Sequence, residues 1–280
     1  MKADCHIHMA LDGVDWKAAL ARHEAAVDEG GVHRILALWK DKGYTYLRDG
    51  GDRFGACYRA KELAPEYGIT YRSPGAPLCK IGHYGGFIGK SFENLRQYAA
   101  LVERKRQEGA DFVKIMISGL MDFDRFGVLT QPGLDPEEIG EMIHIAHEEG
   151  FSVMAHCNGP RTMENAALAG VDSIEHGAYA DEEALRAMAE NGAVWVPTLS
   201  TIGNLRGKGR FNEYAVEKIL ESALENVEKF AGMGGLLAPG TDAGAWAVPH
   251  GCGTEEGLFA MAGVGEEILS IGTEKIIEKF

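Results

Sequence analysis

The sequence predicts a (β/α)8 barrel, the TIM-barrel fold, formed by a single domain over residues 1–280. Short apolar runs alternate roughly eight times with longer amphipathic, charged segments, as strands alternate with helices in such barrels. The chain length fits one large α/β domain. A doubly wound open sheet is the alternative, but the sequence contains no glycine-rich nucleotide-binding loop of the kind that such sheets usually carry.

The strand candidates are short runs rich in apolar and β-branched residues, bounded by polar or glycine-containing segments. They lie at 3–8, 44–48, 69–73, 112–118, 151–156, 173–176, 194–199 and 236–241. In the fourth candidate, Val113, Ile115 and Ile117 share one face that is suited to packing under helices. We therefore expect Lys114 to point into the barrel.

The helix candidates between these runs carry start and stop signals. The run Asp135-Pro136-Glu137-Glu138 offers an N-cap, a first-turn proline and a capping-box glutamate, and Gly150 ends that helix. Asp181 similarly precedes a helix that stops at Gly192. Two further amphipathic helices are expected at 91–109 and 212–232, and the span 15–43 is expected to hold two helices separated by Gly30-Gly31.

The composition limits the partners and the compartment. A formal net charge of −14 argues against nucleic acid or an anionic membrane as a partner, because both require basic patches. The five cysteines are scattered without a C-x-x-C pair, which fits a reducing compartment. No apolar run reaches membrane-spanning length, and no room for a signal peptide precedes His6. We expect a cytoplasmic protein that acts on a small molecule, with a homo-oligomeric state left open.

Barrel enzymes place their chemistry at the carboxyl ends of the strands. Six candidate metal ligands follow or lie near those ends: His6, His8, Lys114, His156, His176 and Asp242. Two residues apart in an extended strand, His6 and His8 point to the same side and supply half of a zinc-type ligand set. A lone histidine at a strand end is usually a hydrogen-bonded rim residue, but six such groups together predict a metal centre.

Lys114 is the least expected member of this group. Burial in an apolar strand disfavours the ammonium form and lowers the pKa of a lysine. A neutral amine beside a metal can react with carbon dioxide to give a carbamate, which could bridge two divalent ions. The alternative is a plain ammonium that pairs with an acidic neighbour.

The motifs resemble those of the amidohydrolase superfamily of metal-dependent hydrolases. The match comprises His6-x-His8, Phe112-Val113-Lys114-Ile115, Ala155-His156, Ser173-Ile174-Glu175-His176-Gly177 and Gly240-Thr241-Asp242-Ala243-Gly244. Leu47-Arg48-Asp49-Gly50-Gly51 and Pro197-Thr198-Leu199 are also similar to its motifs. Pro249-His250-Gly251 is similar to a branch of prolidase-like dipeptidases and imidazolonepropionase-related proteins. The resemblance covers nearly the whole chain and is specific for the superfamily, much less so for the substrate.

The resemblance implies a binuclear metal centre. His6, His8 and Asp242 would hold the more buried ion, His156 and His176 the other, and carboxylated Lys114 would bridge them. Zinc is the expected metal, with Mn, Fe or Co as alternatives. A bridging hydroxide would attack a polarised carbonyl carbon, and Asp242 would act as general base and then acid.

The predicted activity is hydrolysis of a C–N bond in an amide, a dipeptide or a cyclic amide. The alternatives are a lactonase, esterase or phosphotriesterase, a mononuclear deaminase-like enzyme with unmodified Lys114, and a metal-binding scaffold without turnover. Many relatives carry a β-sandwich, which this chain is expected to lack because it opens almost directly on the histidine pair.

The loop 81–86 after the third strand is rich in glycine and could cover the barrel mouth. His83 or Tyr84 would then bind substrate; a flexible surface loop is the alternative. His250 could contact substrate or support a ligand.

Overall fold

The computed structural model describes all 280 residues, Met1–Phe280, and contains ten short strands that pair in parallel. The strands are β1 Lys2–Ile7, β2 Tyr44–Asp49, β3 Thr70–Arg72, β4 Leu78–Lys80, β5 Lys90–Phe92, β6 Val113–Met116, β7 Val153–Cys157, β8 Ser173–His176, β9 Val194–Val196 and β10 Leu236–Leu237. All eight predicted strands are present, and most of them are shorter than predicted. The strands β4 and β5 were not predicted: β5 overlaps the start of the helix expected at 91–109, and β4 directly precedes the loop at 81–86.

The strands form two sheets, ordered β1-β2-β3 and β10-β9-β8-β7-β6-β4-β5. Backbone hydrogen bonds connect the sheets beyond their ladders: Cys5 donates to the carbonyl of Pro239 over 2.8 Å, and His8 to that of Ala243 over 2.7 Å. On the other side, Asp111 donates to the carbonyl of Ser73 over 2.9 Å. The predicted parallel α/β architecture is confirmed. The strand ladders themselves remain two sheets and do not form one closed ring.

Eleven α-helices connect the strands and cover the sheets. They are α1 Trp16–Ala21, α2 Glu29–Asp41, α3 Ala56–Leu63, α4 Leu95–Glu108, α5 Pro136–Glu148, α6 Pro160–Leu168, α7 Glu182–Asn191, α8 Ser200–Gly203, α9 Glu213–Gly232, α10 Thr254–Met261 and α11 Glu266–Lys279. A 3-10 turn, Ala64–Tyr67, follows α3. No helix of the chain is both long enough and apolar enough to cross a membrane.

The N-caps of α5 and α7 are confirmed. The Asp135 carboxylate accepts a hydrogen bond from the Glu137 amide over 2.9 Å, and Asp181 accepts one from the Ala184 amide over 2.9 Å. The capping box predicted at Glu138 is wrong, because its carboxylate accepts a hydrogen bond from Lys80 Nζ over 2.6 Å instead.

Two helix boundaries differ from the prediction. Gly30 and Gly31 lie in the first turn of α2 and do not separate it from α1, because Asp28 caps this helix by accepting a hydrogen bond from the Gly31 amide over 2.9 Å. The helix expected from residue 91 begins at Leu95, because residues Lys90–Phe92 form β5 and Asn94 supplies the cap.

The sheets divide the core into an outer and an inner part. Val113, Ile115 and Ile117 belong to the largest apolar cluster, which includes buried residues of α5, as predicted for the outer face. A smaller cluster contains residues of β1 and β9 together with Phe112 and Phe280, whose rings pack edge to face with centroids 5.1 Å apart. Lys114 is buried, with only 1% of its surface exposed.

Candidate metal centre

His6, His8 and Asp242 meet where β1 runs beside the segment that follows β10. The Asp242 amide donates a hydrogen bond to the His6 carbonyl over 2.7 Å, which fixes the two segments against each other. Asp242 Oδ1 lies 3.6 Å from His6 Nε2 and 3.4 Å from His8 Nε2. The candidate ligand atoms of these three residues all lie within 4.8 Å of one another. The structure thus brings together the first predicted ligand set.

Four buried polar atoms around this point have no hydrogen-bond partner. They are His6 Nε2, His8 Nδ1, Lys114 Nζ and Asp242 Oδ1. An unsatisfied buried polar group costs about 1–3 kcal/mol, so such a concentration is rare without a ligand. Imidazole nitrogens and a carboxylate oxygen are donors that divalent zinc-type ions accept. These residues therefore fit a bound metal ion.

His156 and His176 form a second pair beside the first. Their ring centroids are 4.6 Å apart, and the His176 ring lies 5.2 Å from that of His6. Thr198 Oγ1 lies 2.7 Å from His176 Nδ1, which leaves Nε2 for a ligand. The Gly119 carbonyl lies 3.2 Å from His156 Nε2, which leaves Nδ1 of His156 as the nitrogen available to bind an ion. The group of three candidate ligands whose atoms lie within 4.8 Å of one another consists of His6, His8 and Asp242, and it does not include His156 or His176.

The electrostatics of the site favour neutral imidazoles. Burial lowers the pKa of His8 and of His156 to about 3, and lowers the pKa of His6 and His176 well below the usual value. The positive charge of Lys114 lowers the pKa of all four further. Metal ligation requires neutral imidazole, so these rings need not release a proton on binding an ion at neutral pH.

The two other candidate ligands are also perturbed by burial. Burial lowers the pKa of Lys114 to about 8, so a substantial share of its amine is neutral near physiological pH. Burial raises the pKa of Asp242 to about 8, an effect that a neighbouring cation would oppose.

A fully buried network behind His6 fixes the orientation of its ring. Glu175 Oε2 lies 2.7 Å from His6 Nδ1, and Glu175 Oε1 accepts a hydrogen bond from Arg48 over 2.9 Å. Arg48 also donates to Ser173 Oγ over 2.9 Å and to the Cys5 carbonyl over 2.7 Å. A carboxylate that accepts the proton of the ring nitrogen facing away from the metal fixes the tautomer of a metal-binding histidine. Glu175 and Arg48 belong to motifs of the sequence, but no role was predicted for either residue. Their opposite charges on two apolar strands could have indicated that they form a pair.

Asp4 is a third supporting residue for which the sequence predicted no role. Its carboxylate accepts hydrogen bonds from Thr241 Oγ1 over 2.6 Å, from the Thr241 amide over 3.0 Å and from the His6 amide over 3.1 Å. These bonds hold β1 against the segment that carries Asp242. The relative position of two predicted ligands therefore depends on Asp4.

Backbone strain concentrates at the site. Five non-glycine residues have positive φ, and three of them are His176 at 68°, Thr198 at 49° and Asp242 at 57°. Such conformations cost on the order of 1–3 kcal/mol each and persist where the surroundings impose them. Gly50 adds a steric constraint, because a Cβ there would lie 2.3 Å from Cε1 of His8.

The three predicted substrate-binding residues lie in different surroundings. The Tyr84 ring packs against the His156 ring, with centroids 4.7 Å apart. His83 is half-buried, and its Nδ1 has no hydrogen-bond partner. His250 Nε2 donates to the Leu11 carbonyl over 3.0 Å, and its Nδ1 accepts from Trp39 Nε1 over 3.3 Å. Contact with substrate stays a prediction for all three, and these bonds favour the supporting role for His250.

Comparison with known proteins identifies relatives of the same architecture. The sequence profile of the amidohydrolase family matches residues 4–265. Ochratoxinase of Aspergillus niger is 27% identical over 288 aligned positions, which cover 85% of this chain and 56% of the relative. The chain thus spans little more than half the length of that curated relative.

Solved structures give the same picture of the fold. A crystal structure of a Xaa-Pro dipeptidase with methionine bound in its active site superposes with a TM-score of 0.81 at 22% identity, covering 99% of this chain and 75% of that one. The crystal structure of A. niger ochratoxinase superposes with a TM-score of 0.78 at 24% identity, covering 98% of this chain and 68% of that one. At these identities the similarity establishes a TIM-barrel-like fold.

Proposed function

This chain belongs to the amidohydrolase family, and from that premise we propose that it is a binuclear metal-dependent hydrolase that cleaves C–N bonds. The observation that carries the proposal is that His6, His8, Lys114 and Asp242 each bury a polar atom without a hydrogen-bond partner, beside the His156–His176 pair. The proposed substrates are amides, dipeptides or cyclic amides. One structural relative is named as a dipeptidase, which supports a dipeptide or a similar small amide.

In the proposed site, His6, His8 and Asp242 hold one divalent ion and His156 and His176 hold the other. Zinc is the proposed metal, with Mn, Fe or Co as alternatives. Lys114 would join this ligand set as a carbamate, which its neutral amine would form by adding to carbon dioxide and losing a proton. The buried Nζ without a partner and its pKa of about 8 support this modification.

Bound divalent ions would supply a hydroxide at neutral pH and polarise the scissile carbonyl group. Asp242 accepts the proton of the attacking nucleophile and delivers it to the leaving nitrogen, as general base and then acid. Glu175 holds the proton on His6 Nδ1, so that His6 Nε2 faces the metal position. Tyr84 borders the His156 side of the site, where it would contact the substrate.

The test combines metal analysis with a substrate panel. Protein loaded with Zn or Mn is assayed on Xaa-Pro dipeptides, N-acyl amino acids, cyclic amides, lactones and phosphotriesters. We expect two ions per chain and turnover of at least one amide class. The variant Asp242→Asn should remain folded while kcat falls by about 100-fold or more. Turnover of lactones or phosphotriesters without any amide hydrolysis would refute the C–N proposal, and two bound ions without any turnover would favour the scaffold.

A mononuclear, deaminase-like enzyme is the second candidate. The observation that favours it is that His6, His8 and Asp242 form the one group of three histidine or carboxylate ligands whose atoms lie within 4.8 Å of one another. One ion per chain, together with no carbamate signal in the carbon NMR spectrum after incubation with labelled bicarbonate, would select this candidate.

We further propose that the strands close into a (β/α)8 barrel in a cytoplasmic protein that acts on small molecules. The bonds between β1 and the segment after β10 support closure, and the five free cysteines support a reducing compartment. A homo-oligomeric state stays a prediction.

A further inference from the structure

The turn that carries Thr198 connects the candidate metal centre to a buried carboxylate on another element. Thr198 follows β9, is completely buried, and lies 2.7 Å from His176 Nδ1 through its hydroxyl. Its φ of 49° is unusual for a β-branched residue, because the left-handed region brings its Cβ close to the backbone. Such a conformation persists only where neighbouring contacts hold it.

Glu255 provides those contacts from the first turn of α10. Its two carboxylate oxygens accept hydrogen bonds from the amides that directly follow Thr198: Leu199 over 2.9 Å and Ser200 over 2.7 Å. Only 3% of the Glu255 surface is exposed. The neighbouring Glu256, by contrast, has 64% of its side chain exposed and pairs with Lys2 at the surface.

The chain of contacts therefore runs from Glu255 through the Leu199 and Ser200 amides to the Thr198 hydroxyl and the His176 ring. A hydroxyl that accepts the Nδ1 proton leaves the lone pair on Nε2, the tautomer that a metal on Nε2 requires. Removing an acceptor at Glu255 would free the turn to relax, and the Thr198 hydroxyl would then move away from Nδ1.

We propose that Glu255 is a positioning residue of the metal centre, which acts through Thr198 to fix the tautomer and direction of His176. The inference rests on the proposed metal-hydrolase function, since it assigns Glu255 to the second ion of that site. Glu255 touches neither the substrate nor an ion. Its carboxylate holds the backbone from which the supporting hydroxyl projects.

The first test needs no metal. Nitrogen–proton correlation spectra of metal-free protein with labelled histidine report which ring nitrogen carries the proton, and His176→Gln identifies the His176 signals. We expect Nδ1 to be protonated in the wild type, and Glu255→Gln and Thr198→Val to shift His176 toward a mixture of tautomers. Glu256→Gln and Thr198→Ser, which keep the supporting contacts, should match the wild type. An unchanged His176 tautomer in folded Glu255→Gln would overturn the proposal.

The second test measures metal affinity by titration with Zn. In Glu255→Gln, the ion at His156 and His176 should bind about tenfold more weakly or worse, whereas the ion at His6, His8 and Asp242 should bind as in the wild type. Thr198→Val should produce a similar loss, and the double variant little further loss, because both residues act on one path. Additive losses would show that Glu255 does not act through Thr198, and lower thermal stability with unchanged affinity would show that it only caps α8; either result would overturn the proposal. If the wild type binds no second ion, the binuclear proposal fails and the tautomer measurement still decides the role of Glu255.

Discussion

The buried ion pair between Arg48 and Glu175 leads to a quantitative prediction for Arg48→Met. Both side chains are completely buried, and Arg48 donates to Glu175, Ser173 and the Cys5 carbonyl. Its guanidinium also lies 4.4 Å from the centre of the Phe280 ring. Methionine fills similar apolar space but leaves the Glu175 charge without its cation. Removing one partner of a buried pair typically costs about 3–5 kcal/mol, and we expect a loss of that size in the free energy of unfolding.

The assay is urea unfolding in the presence of a chelator, so that metal binding does not contribute to the measured stability. The double variant Arg48→Met, Glu175→Gln removes both charges and should recover most of the loss. Arg186→Met is the matched control, because Arg186 pairs with Glu182 at the surface with 59% and 68% of the side chains exposed; it should change stability by less than about 0.5 kcal/mol. A loss below about 1 kcal/mol for Arg48→Met, or additive losses in the double variant, would refute the reasoning.

Three further predictions follow, two on the metal centre and one on a buried lysine outside it. Gly50→Ala should weaken metal binding at His8 by about tenfold or more, because the new Cβ would lie 2.3 Å from His8 Cε1; Gly140→Ala, in an open helical position, should leave affinity unchanged. Chelation should lower the Tm of the metal-loaded protein and added Zn should restore it. At a free Zn concentration of 100 times the Kd, binding should add about 2.7 kcal/mol to the free energy of unfolding. A Tm independent of chelator would contradict a bound metal. Buried Lys105 donates hydrogen bonds to the carbonyls of Pro74 and Ala76. Lys105→Met should therefore lower the free energy of unfolding, measured in urea, by about 1–3 kcal/mol for each carbonyl that loses its partner. Wild-type stability of this variant would show that the lysine is dispensable.

The strands and the candidate ligands were predictable from the sequence because both depend on local order. Alternating apolar residues identify a strand, and residues at the carboxyl ends of parallel strands share one edge of the sheet. The convergence of His6, His8 and Asp242 requires in addition that β1 lie beside the segment after β10, as the predicted barrel supplies.

The supporting residues were not predictable in the same way. The sequence places Arg48 and Glu175 on predicted strands, but it does not show that the two side chains are buried and paired. The positive φ of Thr198 and its dependence on Glu255 arise from contacts between elements far apart in the chain. Gly30 and Gly31 suggested a break, whereas the Asp28 cap allows α2 to include them.

The bonds between Asp4 and Thr241 also set the order of events during synthesis. These residues are 237 positions apart, so a ribosome adding about 5–20 residues per second needs on the order of 10 to 50 s between them. Throughout that interval His6 and His8 lack Asp242 and the chain that aligns them. The proposed metal position at His6, His8 and Asp242 therefore forms only after Asp242 has been synthesised, and metal selection would fall to the folded protein and not to the nascent chain.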